Sequence, residues 1–120
     1  MQSRMPVWNA VLVSSGGLAG AIGVALSALA AHEGGAGLAI PASFLLMHAP
    51  ALLGIGYLAS GRVARGGGLL LLVGLVLFCG DLVARHALGT RLFPYAAPGG
   101  GLALIGGWLV VAISPWLRGR

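Results

Sequence analysis

Residues 68–89, GLLLLVGLVLFCGDLVARHALG, decide the fold. The first eleven read as hydrocarbon, and then Asp81, Arg85 and His86 arrive within six positions. An apolar run of about 20 residues is what a helix needs to cross a hydrocarbon core of about 30 Å. Ionisable groups inside such a helix are expensive, so they face a protein interior and pair. The stretch therefore predicts a membrane-spanning helix with a polar patch near its second end.

The rest of the 120-residue chain fits that reading. Hydrophobic residues make up 58% of it and charged residues only 8%, with mean hydropathy +0.99. Soluble domains carry about 25% charged residues, so this surface faces lipid. The net charge of +5 comes from seven arginines against Glu33 and Asp81. The arginines sit at segment ends and form no basic patch with interleaved aromatics, which excludes a nucleic-acid interface. Cys79 is the only cysteine, so no intrachain disulfide forms, and it reads as a small buried hydrophobe.

Four apolar spans are predicted, at about 7–31, 41–60, 67–89 and 98–117, all in one domain. HEGGAGLAI, GRVARGG and TRLFPYAAPGG mark the turns between them. Pro41 and Pro98 stand where a helix start tolerates proline. Ala28-Leu29-Ala30 resembles a leader cleavage site, but the preceding apolar stretch is about ten residues longer than the usual 7–15 of a signal peptide. The first run is therefore read as a span. An even number of spans puts both termini on one side, with Arg4, Arg62, Arg65, Arg118 and Arg120; Glu33 and Arg91 lie on the other. The positive-inside rule makes the arginine side cytoplasmic. The expected fold is an all-α integral membrane four-helix bundle, multi-pass, with both termini cytoplasmic. Trp8 and Trp116 read as interfacial anchors and Trp108 as a packing residue.

Small residues predict how the helices touch. Gly16, Gly20 and Gly23, with Ala19 and Ser27, form a small-residue face on the first helix, and Gly99 and Gly100 open the fourth. Such faces let helix backbones approach closely when lipid is as apolar as leucine. They serve packing within the chain or an interface with another membrane protein or a second copy. GGLAGAIG and GGLALIGG look repeated, which low-complexity Gly/Ala/Leu composition explains, and neither has dinucleotide-loop spacing.

Asp81 and Arg85, four apart, share a helix face with Gly74, Phe78 and Leu88. Counting 1.5 Å per residue from each helix end puts Asp81 about 12 Å and His48 about 10 Å below the same surface. His32 closes the first helix there. His32, His48, Asp81 and Arg85 are thus expected to converge in one half of the membrane. Two readings stand: an internal ion pair and hydrogen bond fixing helix register, or a ligand, quinone or proton site. His32, His48, Asp81 and His86 have metal-donor atoms, but no compact spacing joins them and Arg85 opposes a cation, so no metal is expected. No Ser-His-Asp or paired-carboxylate set can be assembled, so neither enzyme activity nor a cofactor is expected. Pro50, inside the second helix, frees the Leu46 carbonyl and predicts a kink beside His48.

LAGAIGVALSALAAH (18–32), LLMHAPALLGIGYL (45–58), LVLFCGDLVAR (75–85) and PYAAPGGGLALIGGWLVVA (94–112) together resemble the DUF423 family, which includes bacterial inner-membrane proteins and the transmembrane protein 256 group. The resemblance covers about residues 13–113. By position it matches His32 and His48 to the family's histidines, and Pro98, Gly99, Gly100 and Trp108 to its fourth-helix motif. The resemblance implies a four-helix, multi-pass protein of a bacterial inner membrane and no particular activity. Two departures stand out. Phe78-Cys79-Gly80-Asp81-Leu82-Val83 replaces a usual F-S-G-S-L-Y, with Arg85 one turn later, and Pro50 replaces a usual leucine. The expected function is an accessory or structural subunit of a larger membrane complex, such as a respiratory or photosynthetic one. The alternative is a ligand-binding or transport protein with a polar pocket in the non-cytoplasmic half.

Overall fold

The computed structural model describes residues 4–32 and 34–117; Glu33, Arg118 and Arg120, used above to orient the chain, lie outside the described residues. Four helices follow in order: α1 Val7–Ala30, α2 Ala39–Leu58, α3 Arg62–Leu88 and α4 Ala96–Ile113. Short 3-10 turns, Ala36–Leu38 and Ser114–Leu117, precede α2 and follow α4. The described residues contain no strand, and all four helices are long and apolar enough to cross a membrane.

The helix ends follow from leftover backbone groups. Pro41 and Pro98 fall in the third helical position of α2 and α4, where the N–H would have no intrahelical partner. α3 ends on Gly89, whose left-handed backbone (φ 76°) lets its N–H donate to Arg85 O at 3.1 Å. At the end of α4, Pro115 cannot donate to Val111 O, and Ser114 supplies its hydroxyl to that carbonyl instead, at 2.7 Å. α2 runs on through Pro50.

Two predicted turns shrink. GRVARGG is not a loop: α3 begins at Arg62, so Gly66, Gly67 and Gly68 are helical. Glycine in a helix costs about 1 kcal/mol against alanine, but here its absence of a side chain is used. A Cβ on Gly67 would lie 2.8 Å from Val111 Cγ2, and one on Gly68 2.8 Å from Ile55 Cγ2. Likewise the AAPGG end of the last predicted turn belongs to α4.

α1 and α2 form one antiparallel hairpin, α3 and α4 another, and the two join through α2 and α3. α3 is the one helix whose backbone packs closely on that of α4, and α1 and α4 do not meet. The result is an open bundle, a slab of 50 × 32 × 19 Å. Both hairpins close on glycines seven apart: Gly16 packs on Ala49 and Gly23 on Leu46, then Gly67 on Val111 and Gly74 on Gly100, while Gly56 receives Val13 and Gly107 receives Leu71 from the opposite helix. An added Cβ would meet Ala49 O at 2.9 Å from Gly16 and Gly100 O at 2.8 Å from Gly74. Gly20 faces Ala49 Cβ at 3.7 Å, an ordinary contact with room for a methyl group. Gly99 is a correction: nothing lies within 4 Å of where its Cβ would be. One residue turns a helix by about 100°, so the neighbour of Gly100 points away from α3.

Leu12, Leu52, Leu71, Leu75 and Leu104 form the core with Ala19, Ala49 and Cys79, and Phe44 packs on Phe78 with ring centroids 4.6 Å apart. Outside, Leu18, Val24, Leu58, Val76, Leu102 and Leu109 are exposed. A surface this apolar is solvated by lipid rather than water.

Candidate functional site

Among the described residues, polar clusters form around Asp81, His48 and Asn9 inside the helical slab. The first is built on Asp81, which has no exposed surface although it sits on a helix of lipid-crossing composition. Its Oδ1 accepts the Leu92 N–H at 2.7 Å. Its Oδ2 lies 2.8 Å from Arg85 Nη2, a contact close enough for strong attraction but not aligned as a hydrogen bond. The Arg85 side chain is 43% exposed, so its charge is partly screened. Leu92 belongs to the α3–α4 connection, which folds back along the last turns of α3. A backbone amide at that depth needs an acceptor, and Asp81 supplies it. His86, next to Arg85, turns to another neighbour: a Cβ on Gly37 would lie 2.7 Å from its Nδ1.

The second cluster centres on His48, which is almost fully buried. Nδ1 lies 2.8 Å from Phe44 O, and Trp108 Nε1 lies 3.1 Å from Nε2. A carbonyl only accepts and an indole N–H only donates. The pattern therefore assigns the proton to Nδ1 and leaves Nε2 as acceptor. Both ring nitrogens are occupied, and the pair bridges α2 and α4, which make no closer helix approach. Trp108→Phe removes the donor and strands a buried acceptor, a change worth about 1–3 kcal/mol. Unfolding in mixed micelles should show that loss, and His48→Ala in the same background should add little to it.

The third cluster was not anticipated from sequence. Asn9 is buried near the start of α1. Its Nδ2 donates to Gly56 O and Ala59 O, both at 2.9 Å, and its Oδ1 accepts Arg65 Nε at 2.7 Å. The side chain thus caps carbonyls at the C-terminus of α2 and ties three helices together, while Arg65 brings positive charge to a helix end that favours it. A lone amide inside an apolar helix was the available signal. Asn9→Ala should cost about 1–3 kcal/mol of unfolding free energy, and Arg65→Lys, with Asn9 retained, much less.

The expected convergence of His32, His48, Asp81 and Arg85 does not occur as one cluster. Asp81 and Arg85 meet, but His48 is committed to Phe44 and Trp108, and His32 is exposed just beyond α1. The contacts Cys79–Pro41, Phe78–Phe44 and Gly68–Ile55 fix the register of α2 on α3. In that register His48 lies level with about Gly74, some 10 Å along the helix from Asp81. Matched depth fails because α2 and α3 do not end at the same level. Among the described residues, no three His, Cys, Asp or Glu side chains come together as a metal-holding group. The Cys79 thiol is buried, 3.7 Å from Pro41 O.

Two open apolar grooves run between alternate helices. One, of about 390 Å³, lies between α2 and α4 toward the chain termini, against Pro50, Gly54, Leu58, Trp108 and Val111. The other, of about 420 Å³, lies between α1 and α3 against Leu18, Ile22, Leu75 and Cys79. Neither is lined by a carboxylate, an arginine or a histidine.

Residues 19–101 match the model of the family described as protein of unknown function (DUF423). The match takes in His32, His48, Asp81, Arg85, Gly99 and Gly100, and stops short of Trp108. No curated protein and no solved structure matches the chain.

Proposed function

The chain belongs to the DUF423 family, and from that premise we propose that it is a small accessory or structural subunit of a larger membrane assembly, without reaction chemistry of its own. One observation carries this reading: the polar groups inside the slab are spent on holding it together. Asp81 is used by Leu92 and Arg85, His48 by Phe44 and Trp108, and Asn9 by α2 and Arg65. What is left for a partner is the apolar outside of the helices, above all α1 and α4, each packed closely on one neighbour. Exposed small residues, which let backbones approach and pack closely, are a means by which spans associate laterally in lipid.

In the proposed setting the protein is multi-pass in a bacterial inner membrane. Arg4, Arg62 and Arg65 stand at the end of the slab where α1 begins and α4 ends, and Arg91 at the opposite end, a bias that favours cytoplasmic termini. A transport or polar-ligand role through His48, Asp81 and Arg85 is disfavoured because His48 lies apart from the Asp81–Arg85 pair and each group is already engaged. The test is isolation of tagged protein in polymer-bounded native bilayer discs, with mass spectrometry of what stays bound. Stoichiometric membrane protein, another chain or further copies of this one, supports the subunit reading. A monomer carrying a stoichiometric small molecule overturns it.

A further inference from the structure

The two hairpins are built alike. Gly16 stands to Leu53 and Gly23 to Leu46 as Gly67 stands to Val111 and Gly74 to Leu104: in each case a Cβ on the glycine would lie within about 3.1 Å of the partner residue's backbone nitrogen. Carried along the helices, this correspondence sets α1 on α3 and α2 on α4.

The hairpins are nevertheless not joined symmetrically. A symmetric pair would join α1 to α4 wherever it joined α2 to α3, and α1 and α4 do not meet. The α2 side of the first hairpin packs on the α3 side of the second, leaving the outward faces of α4 and α1 without a neighbour. These are the structural counterparts of the two faces already joined. A head-to-tail contact of this kind repeats until it closes into a ring or runs on as a row.

We infer that the outward face of α4 packs on α1 of a second copy of this chain, repeating the α2–α3 junction. This inference rests on the reading above, that the protein works by lateral association. The junction inside the chain gives the register. Pro41 lies by Cys79, and Ile55 lies over Gly68. Their counterparts are Gly99 by Ala28 and Ile113 over Gly17. Gly17 and Gly99 have nothing within 4 Å of an added Cβ, Ile113 is half-exposed and Ala28 is exposed. A bulky residue on a bare glycine, as in Ile55 on Gly68, is again the pairing. α4 and α1 run antiparallel in neighbouring copies that share one membrane orientation, as α2 and α3 do within a chain.

The test uses single cysteines in a Cys79→Ser background, which leaves no other thiol. Ala28→Cys carries one tag and Gly99→Cys another, and the two are expressed together and oxidised in native membranes with copper–phenanthroline. A disulfide-linked dimer containing both tags is expected, with neither variant linking to itself. Gly17→Cys with Ile113→Cys should behave the same way, and Ala28→Cys with Ile113→Cys should not link. Self-linking of one variant would make the contact symmetric and overturn the inference. So would no linking in either matched pair. If those pairs fail while native discs hold a different membrane protein, the subunit reading stands and self-association falls.

Discussion

Arg85→Leu should lower the unfolding free energy by about 2–4 kcal/mol, the largest loss expected from any polar substitution here. Removing one partner of a buried ion pair typically costs about 3–5 kcal/mol because the other charge stays buried. Here the loss should be about 1 kcal/mol smaller than that range. Arg85 is partly exposed and its attraction is screened, and Asp81 keeps the Leu92 amide as a second partner. Asp81→Asn should be milder, about 1 kcal/mol. The amide oxygen can still accept from Leu92, and the long Arg85 side chain can reach the interface. The double variant should lie close to Asp81→Asn alone, because leucine at 85 no longer strands a carboxylate. Such non-additivity marks residues that act as a unit. Equilibrium unfolding of all four proteins in one mixed-micelle system, followed by circular dichroism, measures it.

Adjacent glycines at the start of α4 should respond in opposite ways. A Cβ on Gly100 would stand 2.6 Å from Phe78 N and 2.8 Å from Gly74 O. Both are backbone atoms, so no rotamer change relieves the clash and α3 and α4 must separate. Overpacking of this kind costs about 1–3 kcal/mol for a methyl group, and Gly100→Leu should cost more. Gly99→Ala meets nothing within 4 Å and should be neutral or stabilising by up to about 1 kcal/mol, the helix-propensity gain. A thermal shift in detergent separates the two outcomes. Equal destabilisation by both alanines would show that the close approach of the hairpin is not what Gly100 provides.

The four spans, their order and the close-packing role of Gly16, Gly23 and Gly100 were legible because they depend on local properties: length, apolarity and the absence of a side chain. What faces what was not. Helices apolar on every side carry little periodic signal about which side is buried, so Gly99 was grouped with Gly100 although it points away from α3. The depths of His48 and Asp81 depend on where their helices end, and α3 runs from Arg62 to Leu88, past the start of α2, with Pro41 beside Cys79. The bonds of Asp81 to Leu92 and of Asn9 to Gly56 and Ala59 depend on which backbone groups the fold leaves over. That is decided only when helices and connections are assembled.

The departure of Asp81 and Arg85 from the serine-containing pattern implied by the family resemblance acquires a physical meaning in this structure. The carboxylate holds the α3–α4 connection down on its helix, and the arginine balances the charge. A lock of this kind stiffens the fold without requiring a ligand, and it leaves the lipid-facing helix sides free to associate.

In the proposed role, the intramembrane polar groups hold the fold while apolar helix faces make the associations. The most direct measurement isolates the wild-type protein and the Asp81→Asn/Arg85→Leu double variant in native bilayer discs from the same membranes. Mass spectrometry then compares their stoichiometric companions. The expected result is the same protein companions for both, in the same ratio. A companion or bound small molecule lost from the double variant, with its helix content unchanged, would show that Asp81 and Arg85 form a working site instead of a lock.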